Sequence, residues 1–548
     1  MSACTATPAH WAEAKLGDVV QVLDSQRVPV NARDRAERQG EVPYYGATGQ
    51  VGWIDDFLFD EELVLLGEDG APFLDGAKPV AYMIRGKSWV NNHAHVLRML
   101  ATCPNPFLMH QLNQVDYSQF VSGTTRLKLS QGPMRGIPLL IPPLLEQHRI
   151  VEAIESYLTR LDAAVALLER VRRNLKHYRA SVLKAAVEGR LVPTEAELAK
   201  KEGRTYEPAS ELLKRILVER RKKWIENAAE KARSKVEKKA RETGKAWTHA
   251  DDIETLEKER AKATKKYKEP GAPDLSALGA QAGTTNLFNL PEGWSWVTVD
   301  AITVSGPQNG IYVHKSLYGE GTPILRIDDY QVDWSRSADE LQRVTLSDQD
   351  RWLYMLQVQD LLINRVNSPS HLGKSMVVES QHTPAVFESN MMRLGLAESM
   401  DPFFVQAYLS SASGKNRLTE NAKWAVNQAS INQGDVGRTA IPLPPAPEQK
   451  RIITKLNHAF SITEAVRETI SSSFARSEKL RQSILKWAFE GKLVPQDPND
   501  EPASILLERI KAERESMRPR KRRRTIRKEK NGSLKHDEQL NLLGGSHK

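Results

Sequence analysis

The chain contains one stretch of sequence twice. In the first copy the landmark residues are Pro142-Pro143, Glu146-Gln147, Arg149-Ile150 and Glu188-Gly189-Arg190-Leu191-Val192-Pro193. In the second copy they are Pro444-Pro445, Glu448-Gln449, Arg451-Ile452 and Glu490-Gly491-Lys492-Leu493-Val494-Pro495, each 302 residues further along. A match at one constant offset is an internal repeat. We therefore expect two similar halves in tandem.

Between these landmarks, each copy carries the apolar pattern of a long helix. In the first copy the apolar positions are spaced alternately by four and three residues, at Ile150, Ile154, Tyr157, Leu161, Ala164, Leu168, Val171, Leu175, Tyr178 and Val182. This spacing is typical of a coiled coil. The second copy keeps the period at Ile452, Leu456, Ala459, Val466, Ile470, Leu480, Ile484 and Trp487, but places Thr463, Ser473 and Ser477 on the same face. We expect the two helices to pack on each other, antiparallel if a pseudo-twofold axis relates the halves.

Composition excludes several classes of protein. Cys4 and Cys103 cannot form a framework of disulfides, and residues 1–11 lack the apolar run of a signal peptide. No segment approaches the length of apolar sequence that a membrane helix needs. We therefore expect a cytoplasmic protein. A formal net charge of +9 and a pI of about 9.2 are compatible with a polyanionic partner.

The fold class that these patterns predict is α+β, with globular regions alternating with helical ones. Short β-rich runs such as residues 62–66 and 324–327 lie between Gly, Pro and Asp turns. The predicted regions are a first globular region (1–146), a first helical spacer (147–217), a charged helical insertion with a linker (218–290), a second globular region (291–447), a second helical spacer (448–516) and a basic disordered tail (517–548).

The insertion has no counterpart in the second half. It is dense in charge, with pairs four residues apart such as Glu219/Lys223 and Glu254/Lys258, and Thr243-Gly244 interrupts it. We interpret it as an exposed helical hairpin. A solvated spacer is the more common role for such a segment than a binding arm, and both alternatives remain open.

Motifs for catalysis are incomplete throughout the sequence. Gly86-Lys87-Ser88 and Gly373-Lys374-Ser375 end like phosphate-binding loops, but the required earlier glycines are replaced by Ala81 and Ser368. Asn105-Pro106-Phe107 alone is too little for an adenine methyltransferase site. The histidines have no Cys or carboxylate neighbours at metal-ligand spacing in the sequence. We expect a chain that is not an enzyme and holds no metal and no cofactor.

Candidate DNA-contacting residues lie in polar, aromatic and basic loops of the two globular regions. In the first region they are Tyr44, Tyr45, Lys87, Asn91, Asn92, His93, Thr124, Arg126 and Lys128. In the second region they are Arg365, Asn367, His371, Lys374, Asn427 and Gln428. Side chains of these types read base edges and hold phosphates. Each single residue is more often structural, because Gly-rich loops form turns and Asn often caps the backbone.

Each globular region is followed by Pro-Pro-x-x-Glu-Gln-x-Arg-Ile and then by a long helix that ends in Glu-Gly-(Arg/Lys)-Leu-Val-Pro. This order of parts resembles the specificity subunit of type I restriction–modification enzymes. Further support comes from Leu129-Ser130-Gln131-Gly132 and Ile431-Asn432-Gln433-Gly434, each just before a proline segment. The opening Leu290-Pro291-Glu292-Gly293-Trp294 of the second region also fits. The resemblance covers nearly the whole chain.

The resemblance implies two target-recognition domains, each gripping one half of a bipartite site in double-stranded DNA, held apart by the long helices. It implies that two methyltransferase subunits dock on those helices, near Ile154, Leu161, Leu168, Leu175, Ile452, Ile470 and Ile484. S-adenosylmethionine, ATP and Mg²⁺ are expected on the methyltransferase and the restriction/translocase subunits. The charged insertion and the basic tail depart from this pattern. The alternative is a coiled-coil adaptor with protein-binding globular regions, and a nuclease or methyltransferase is a third option.

Overall fold

The computed structural model describes residues 8–76, 78–244, 246–273, 288–331, 334–368, 371–425 and 428–517. The chain divides into two compact units. Unit 1 comprises residues 1–166 and 474–548, and unit 2 comprises residues 167–473. Each unit therefore holds a globular part together with portions of both long helices. The predicted basic tail lies outside the described residues, apart from Met517.

The globular part of unit 1 is built from short strands and helices, in agreement with the predicted α+β class. The strands are β1 (Ala12–Lys15), β2 (Val20–Val22), β3 (Val42–Gly46), β4 (Gly49–Ile54), β5 (Phe59–Asp60), β6 (Leu63–Gly67), β7 (Ala81–Ile84), β8 (Lys87–Val90), β9 (Ala94–Met99) and β10 (Pro138–Ile141). The helices are α1 (Leu16–Val19), α2 (Ala32–Glu37), α3 (Asn105–Leu112) and α4 (Gln131–Arg135).

One antiparallel sheet, in the order β2-β9-β6-β7, forms the middle of this part. Its strand β6 is buried along its whole length. Val64 and Leu66 face one apolar cluster, whereas Leu63 and Leu65 face another, as the alternation of side chains along a strand requires. A second sheet has the order β4-β3-β8-β5, in which β3 and β8 run parallel. Strand β1 pairs with β10, so both ends of the globular part meet.

Helices dominate the middle of the chain. They are α5 (Leu144–Val187), α6 (Glu195–Glu202), α7 (Ala209–Glu242) and α8 (His249–Lys266). Helix α5 has 44 residues, and at 1.5 Å per residue it is about 65 Å long. Helix α6 begins with a capping box in which Thr194 and Glu197 bond each other's backbone N–H groups. Helices α7 and α8 form the predicted hairpin, with Gly244 between them in the left-handed conformation (φ +71°).

The globular part of unit 2 follows. Its strands are β11 (Ser295–Thr298), β12 (Thr303–Asn309), β13 (Tyr318–Leu325), β14 (Arg343–Val344), β15 (Leu361–Asn364), β16 (Val366–Asn367), β17 (Ser375–Val377), β18 (Val386–Phe387), β19 (Met391–Leu396), β20 (Lys423–Ala425), β21 (Gln428–Ser430) and β22 (Ala440–Leu443). Its helices are α9 (Val299–Ile302), α10 (Asp348–Tyr354), α11 (Pro402–Ser410), α12 (Ala412–Thr419) and α13 (Gln433–Arg438). Helices α14 (Ala446–Phe489) and α15 (Ala503–Ser516) come last.

The two globular parts share one topology. The sheet β12-β19-β15-β17 repeats the order of β2-β9-β6-β7, the parallel pair β13 and β18 repeats β3 and β8, and the pair β11 and β22 repeats β1 and β10. Sequence comparison of the two regions does not reveal this likeness. Burial of the strand residues fixes the topology, while the loops between the strands differ in sequence.

Long helices run antiparallel to each other within each unit, as predicted. In unit 1, Ile150 and Ile154 near the start of α5 share an apolar cluster with Ile484 and Ala488 near the end of α14. In unit 2, the end of α5 meets the start of α14, where the clustered residues are Val182, Ala186, Ile452, Leu456 and Ala459. No helix among the described residues is long and apolar enough to cross a membrane.

Four of the ten positions predicted for the buried face of α5 are exposed, namely Tyr157, Ala164, Val171 and Tyr178. Ile154, Leu161 and Val182 are buried, but Tyr157 and Tyr178 are 46% and 51% exposed. Leu158 packs against the apolar cluster in place of Tyr157. Each residue advances a helix by about 100°. The predicted pattern steps three residues where the structure steps four, so these predicted side chains project about 100° away from the side chains that face the interface. In α14, Trp487 and Leu480 are likewise 47% and 44% exposed.

The repeated landmarks meet at one junction in each unit. In unit 2, Trp294 at the start of the globular part donates its indole N–H to Glu448 at 3.0 Å, and Gly189 at the end of α5 lies against Pro291 and Trp294. In unit 1 the same contacts join Trp11 to Glu146, at 3.1 Å, and Gly491 to Pro8 and Trp11. The landmarks therefore fasten the base of each globular part to both long helices.

A short helical segment completes each core. In unit 2, Leu212 and Ile216 of α7 are fully buried in the core of the globular part. In unit 1, Leu506 and Ile510 of α15 occupy the core of its globular part. This packing explains why Glu207-Pro208-Ala209-Ser210 recurs as Glu501-Pro502-Ala503-Ser504.

Candidate nucleic-acid interface

A closed loop, residues 122–128, carries three of the predicted residues of unit 1. Backbone hydrogen bonds in both directions join Ser122 and Lys128, at 2.9 and 2.8 Å. Gly123 has φ +99°, and a Cβ there would lie 2.5 Å from the carbonyl oxygen of Arg126, so only glycine fits the turn. The tip exposes Thr124 and Arg126. The loop thus presents these side chains on a constrained backbone.

Two acidic residues that the sequence analysis missed lie beside this loop. Asp69 pairs with Arg126 at 2.7 Å and lies 3.4 Å from the Nδ1 of His93. Glu68 lies 3.6 Å from the Nζ of Lys128. The structure therefore brings His93 together with Arg126 and Lys128, from which it is more than thirty residues away in the sequence. Glu68 and Asp69 belong to no sequence motif. They lie beside the loop because they follow the end of strand β6, which the sequence alone does not show.

A buried charge network supports the loop from below. His95 is 1% exposed, and its two ring nitrogens lie 2.6 Å from the Asp24 carboxylate and 2.8 Å from the Leu129 carbonyl oxygen. Both neighbours are acceptors, so the ring can donate to both only as imidazolium. Burial acts to raise the pKa of Asp24, but the hydrogen bond and charge of His95 outweigh it, and the pKa is lowered.

The sequence places no carboxylate at metal-ligand spacing from His95, but the fold brings two carboxylates beside it. Asp24, Glu68 and His95 come close enough to one another to surround a metal ion. However, Arg27 lies between the two carboxylates, 3.5 Å from Asp24 and 2.7 Å from Glu68. Its guanidinium supplies the positive charge that these acids require, so the group is a network of ion pairs that anchors Leu129 and the adjoining loop.

Other predicted residues of unit 1 fall into two groups. Lys87 and Asn92 are exposed, and the Lys87 ammonium lies 4.9 Å from the centre of the Phe57 ring. Tyr44 and Asn91 are 1% and 8% exposed. The Tyr44 hydroxyl bonds the backbone of Val30, and Asn91 accepts from the His93 N–H at 2.8 Å. The remaining one, Tyr45, packs against Tyr82. These last three side chains hold the loops from inside.

In unit 2, Arg365 lines an open polar cleft. The other lining residues are Asn309, Asn432, Gln433 and Gly434. The guanidinium donates to the Ser389 carbonyl oxygen at 3.1 Å, while its Nε is buried without a hydrogen-bond partner among the described residues. The cleft therefore offers amide groups and a guanidinium at one place, and these are the groups that form paired hydrogen bonds with purine edges.

Two predicted residues of unit 2 serve the fold instead. Lys374 donates from its Nζ to the carbonyl oxygens of Ile327 and Tyr330 at 2.8 and 2.6 Å. Burial lowers its pKa. The backbone of His371 accepts from the side chain of Asn364 at 3.4 Å, and the residue is half-buried. Neither side chain reaches the polar cleft.

A three-stranded ribbon, β16-β21-β20, carries the remaining predicted residues of unit 2. Asn367 and Gln428 lie on its strands, but their side chains are not described, and Asn427 lies outside the described residues. The ribbon exposes Trp424 to 61%. The sequence analysis missed this residue, although a large aromatic among polar neighbours is a signal for base contact.

Equivalent positions of the two globular parts carry different chemistry. Glu68 follows β6 and Arg365 follows β15, and the backbone oxygen of each accepts a hydrogen bond from Leu129 and Ile431 respectively, at 2.8 and 2.9 Å. Gln131 is hydrogen-bonded to Asp24 at 3.0 Å, and Gln433 to Asn309 at 3.5 Å. The same place thus holds an acid in one unit and a guanidinium in the other. One scaffold therefore presents two surfaces of unlike charge.

The helix residues predicted to contact partner subunits face inward. Those buried within the chain are Ile154, Leu161, Ile452, Ile470 and Ile484, and Leu168 and Leu175 are half-buried. A partner docked on the helices would meet the outer face, where Tyr157, Val171 and Tyr178 are exposed.

The chain thus carries one scaffold twice, with a different polar surface on each copy. The family model of the type I restriction modification DNA specificity domain matches residues 8–175. The chain is 22% identical to the EcoDI specificity subunit of Escherichia coli over 526 residues, which cover 92% of this chain and 96% of that protein. It is 33% identical to the specificity subunit S.HindORF215P of Haemophilus influenzae over 144 residues, and it spans only 36% of that relative.

A solved chain from a study of complex assembly in the type I restriction–modification system has a similar fold. The TM-score is 0.54 at 16% identity, and the match covers 89% of this chain and 99% of the other. These comparisons confirm the resemblance that the sequence shows to the specificity subunits of type I restriction–modification systems.

Proposed function

We propose that this chain reads a bipartite site in double-stranded DNA, one half with each globular part. The observation that carries the proposal is the repetition of one topology with unlike surfaces, an acid-and-base loop in unit 1 and a guanidinium–amide cleft in unit 2. Two copies of one surface would favour two equal half-sites. Different chemistry at equivalent positions instead favours two half-sites of different sequence.

The proposed recognition domains are residues 1–146 and 291–447. Within the first, the exposed residues Lys87, Asn92, Thr124, Arg126 and Lys128 and the half-exposed His93 are the proposed contacts. Within the second, they are Arg365, Asn367, Asn427 and Gln428, to which we add Gln433 and Trp424. Arg, Asn and Gln form paired hydrogen bonds with guanine or adenine, and Lys holds phosphates.

The proposed role of the helical spacers, residues 147–217 and 448–516, is to separate the recognition domains and to dock two methyltransferase subunits. The chain itself would then be non-catalytic. S-adenosylmethionine would be held by those subunits, and ATP and Mg²⁺ by the restriction and translocation subunits of the complex. Such a complex would act in the cytoplasm of the host cell.

Exchange of one recognition surface tests this proposal. The exchange should cover residues 299–439, because β11 and β22 pair with each other and Trp294 and Glu448 form the junction, all of which should remain. With the corresponding segment of a relative, methylated-adenine mapping should return a site with one half changed. Exchange of residues 16–137 is the matched control and should change the other half. If either exchange alters both halves, the modular proposal is wrong.

A further inference from the structure

The helical hairpin α7–α8 carries an unusual surplus of positive charge. Residues 218–268 contain 17 Lys and Arg against 10 Asp and Glu, a surplus of seven, whereas all 548 residues together have a formal net charge of +9. Neither globular part contains this segment. Its charge therefore calls for an explanation apart from base recognition.

Most acids of the hairpin are held by contacts within unit 2. Glu230, Glu237 and Asp252 all pair with Arg233, at 2.7, 3.2 and 2.8 Å. Glu226 pairs with Arg260, joining the two helices. These pairs hold the two helices together. The surplus positive charge is carried by lysines that have no acidic partner among them.

One row of lysines runs along α7. Lys231, Lys235 and Lys238 are spaced by four and three residues, so they lie on one face of the helix. All three are exposed, and none has an ion-pair or hydrogen-bond partner among the described residues. At 1.5 Å per residue the row is about 10 Å long. We call these three residues the α7 lysine row.

The α7 lysine row continues the face by which α7 packs on the globular part of unit 2. At about 100° per residue, Leu213, Ile216 and Arg220 project to nearly the same side of the helix as the row. Arg220 is fixed there by Asp300, through its Nη2 at 2.7 Å and its Nε, which donates to the Asp300 carbonyl oxygen at 2.9 Å. The row therefore projects to the side of α7 on which the globular part lies, further along a helix that is anchored in its core.

The opposite side of α7 faces α8. Ala229 and Ala240, which lie about half a turn from the row, are 0% and 8% exposed. The row consequently points away from α8 and remains open to a partner. Three adjacent ammonium groups without acids complement a polyanion whose phosphates follow each strand at about 3.4 Å per base pair.

We propose that the α7 lysine row binds the phosphate backbone of duplex DNA beside the half-site that unit 2 reads. This inference rests on the proposed DNA-binding function. The row carries no side chain that discriminates bases, so it contributes affinity without sequence preference. The hairpin would thus extend the DNA contact of the recognition domain in unit 2.

Salt dependence of DNA binding tests the inference. The test variant is Lys231→Gln/Lys235→Gln/Lys238→Gln in the full chain, and the matched control is Lys258→Gln/Lys265→Gln/Lys266→Gln. The control removes the same charge from α8, where those three lysines are also exposed. Glutamine keeps nearly the helix propensity of lysine, and circular dichroism should verify that both variants remain folded.

The probe is a duplex of about 40 base pairs, titrated at several salt concentrations. For the test variant, the slope of log K against log salt should become shallower by about two to three, since each lost phosphate contact removes about 0.9. The control should keep the slope of the unmodified chain. Equal slopes for all three proteins would overturn the inference and leave the proposed function intact.

Two further outcomes are decisive. If the unmodified chain binds no duplex even at low salt, the proposed function itself fails. If the test variant binds DNA normally but no longer assembles with a methyltransferase subunit in size-exclusion chromatography, the row is a protein-docking surface and the inference is wrong. Once the bipartite site is mapped, the test variant should still methylate the same sequence.

Discussion

Trp294 donates its indole N–H to Glu448 across 154 residues of sequence, and Trp11 does the same to Glu146. In unit 2 the second carboxylate oxygen of Glu448 accepts from the backbone N–H of Glu195 at 2.8 Å. Burial raises the pKa of Glu448, and these hydrogen bonds oppose that shift. The tryptophan therefore donates a hydrogen bond to a buried carboxylate. The glutamate of the repeated Glu-Gln landmark thus connects the globular part to the long helix.

The first prediction concerns the hydrogen bond between Trp294 and Glu448. Trp294→Phe keeps most of the apolar contact but leaves a buried carboxylate oxygen without its donor, so it should lower the stability of unit 2 by about 1–3 kcal/mol. Trp11→Phe should do the same in unit 1. Trp352→Phe is the control, because Trp352 is 75% exposed. Calorimetric unfolding of the full chain measures the effect, and equal transitions for Trp294→Phe and Trp352→Phe would contradict it.

The second prediction separates backbone strain from steric contact at the end of α5. Gly189 has φ +70°, and a Cβ there would lie 2.4 Å from Pro291, whereas Gly203 has φ +65° with nothing within 4 Å. Gly203→Ala should cost about 1–2 kcal/mol for the left-handed conformation alone. Gly189→Ala carries the same strain and also pushes Pro291 aside, so its unfolding temperature should be lower. The idea fails if the two variants melt together.

Periodicity and repeats made much of the architecture predictable. A constant offset revealed the two halves, and alternate spacing revealed the long helices. The common topology of the globular parts was not predictable from one sequence, because strands with different residues bury themselves equally well in the same sheet. Only the backbone pairing of β12-β19-β15-β17 shows it.

The candidate site was less predictable than the fold. Residue type selected Arg126, Lys128 and Arg365, which lie at the candidate site, but it also selected Tyr44 and Lys374, whose polar groups bond the protein's own backbone. Burial decides between these roles, and burial depends on which strands meet. For the same reason, the acids Glu68 and Asp69, which belong to no motif, went unnoticed although they lie within the candidate site.

The third prediction tests the corrected face of α5. Ile154 is fully buried against α14, whereas Tyr157, three residues away, is 46% exposed. Ile154→Ala should therefore destabilise unit 1 by about 2–4 kcal/mol. Tyr157→Ala should change stability by less than about 0.5 kcal/mol, as is usual for surface positions. Thermal unfolding of both variants is the measurement. A larger loss of stability for Tyr157→Ala than for Ile154→Ala would show that the face predicted from the sequence is the buried one.

The fourth prediction concerns acid sensitivity of unit 1. Because the pKa of Asp24 is lowered from 3.8 in the folded state, its contribution to stability is complete above that value. The contribution is lost as pH falls through the folded-state pKa. Asp24→Asn should lower stability at neutral pH by about 1–3 kcal/mol, since His95 loses a charged acceptor. As pH falls below 3.8 the variant and the unmodified chain should begin to converge, and they should coincide below the folded-state pKa of Asp24.

Calorimetric unfolding from about pH 7 down to about pH 2 measures this convergence. Asp60→Asn serves as the control, because Asp60 is exposed at the end of β5. The control should follow the unmodified chain at every pH. A constant difference between Asp24→Asn and the unmodified chain down to the lowest pH would show that the carboxylate charge of Asp24 does not stabilise the fold.

The last prediction assigns one arginine to each half-site. Arg126 is at the tip of the constrained loop of unit 1, and its side chain is 59% exposed beside Asp69. Arg365 lines the polar cleft of unit 2. An arginine that reads a guanine contributes about 1–3 kcal/mol of discrimination at one base pair. Arg126→Ala should therefore relax one position of one half-site, and Arg365→Ala one position of the other.

Arg85→Ala is the matched control for Arg126→Ala. Arg85 belongs to the same globular part, is 69% exposed, and pairs with Glu62 at 3.0 Å, so it resembles Arg126 in exposure and in having an acidic partner. It lies outside the closed loop at residues 122–128. Competition binding against duplexes with single substitutions in each half-site separates the three variants. A uniform loss of affinity across all duplexes for Arg126→Ala would identify a phosphate contact instead of a base contact. Relaxation of both half-sites by either substitution would contradict the assignment of one half-site to each globular part.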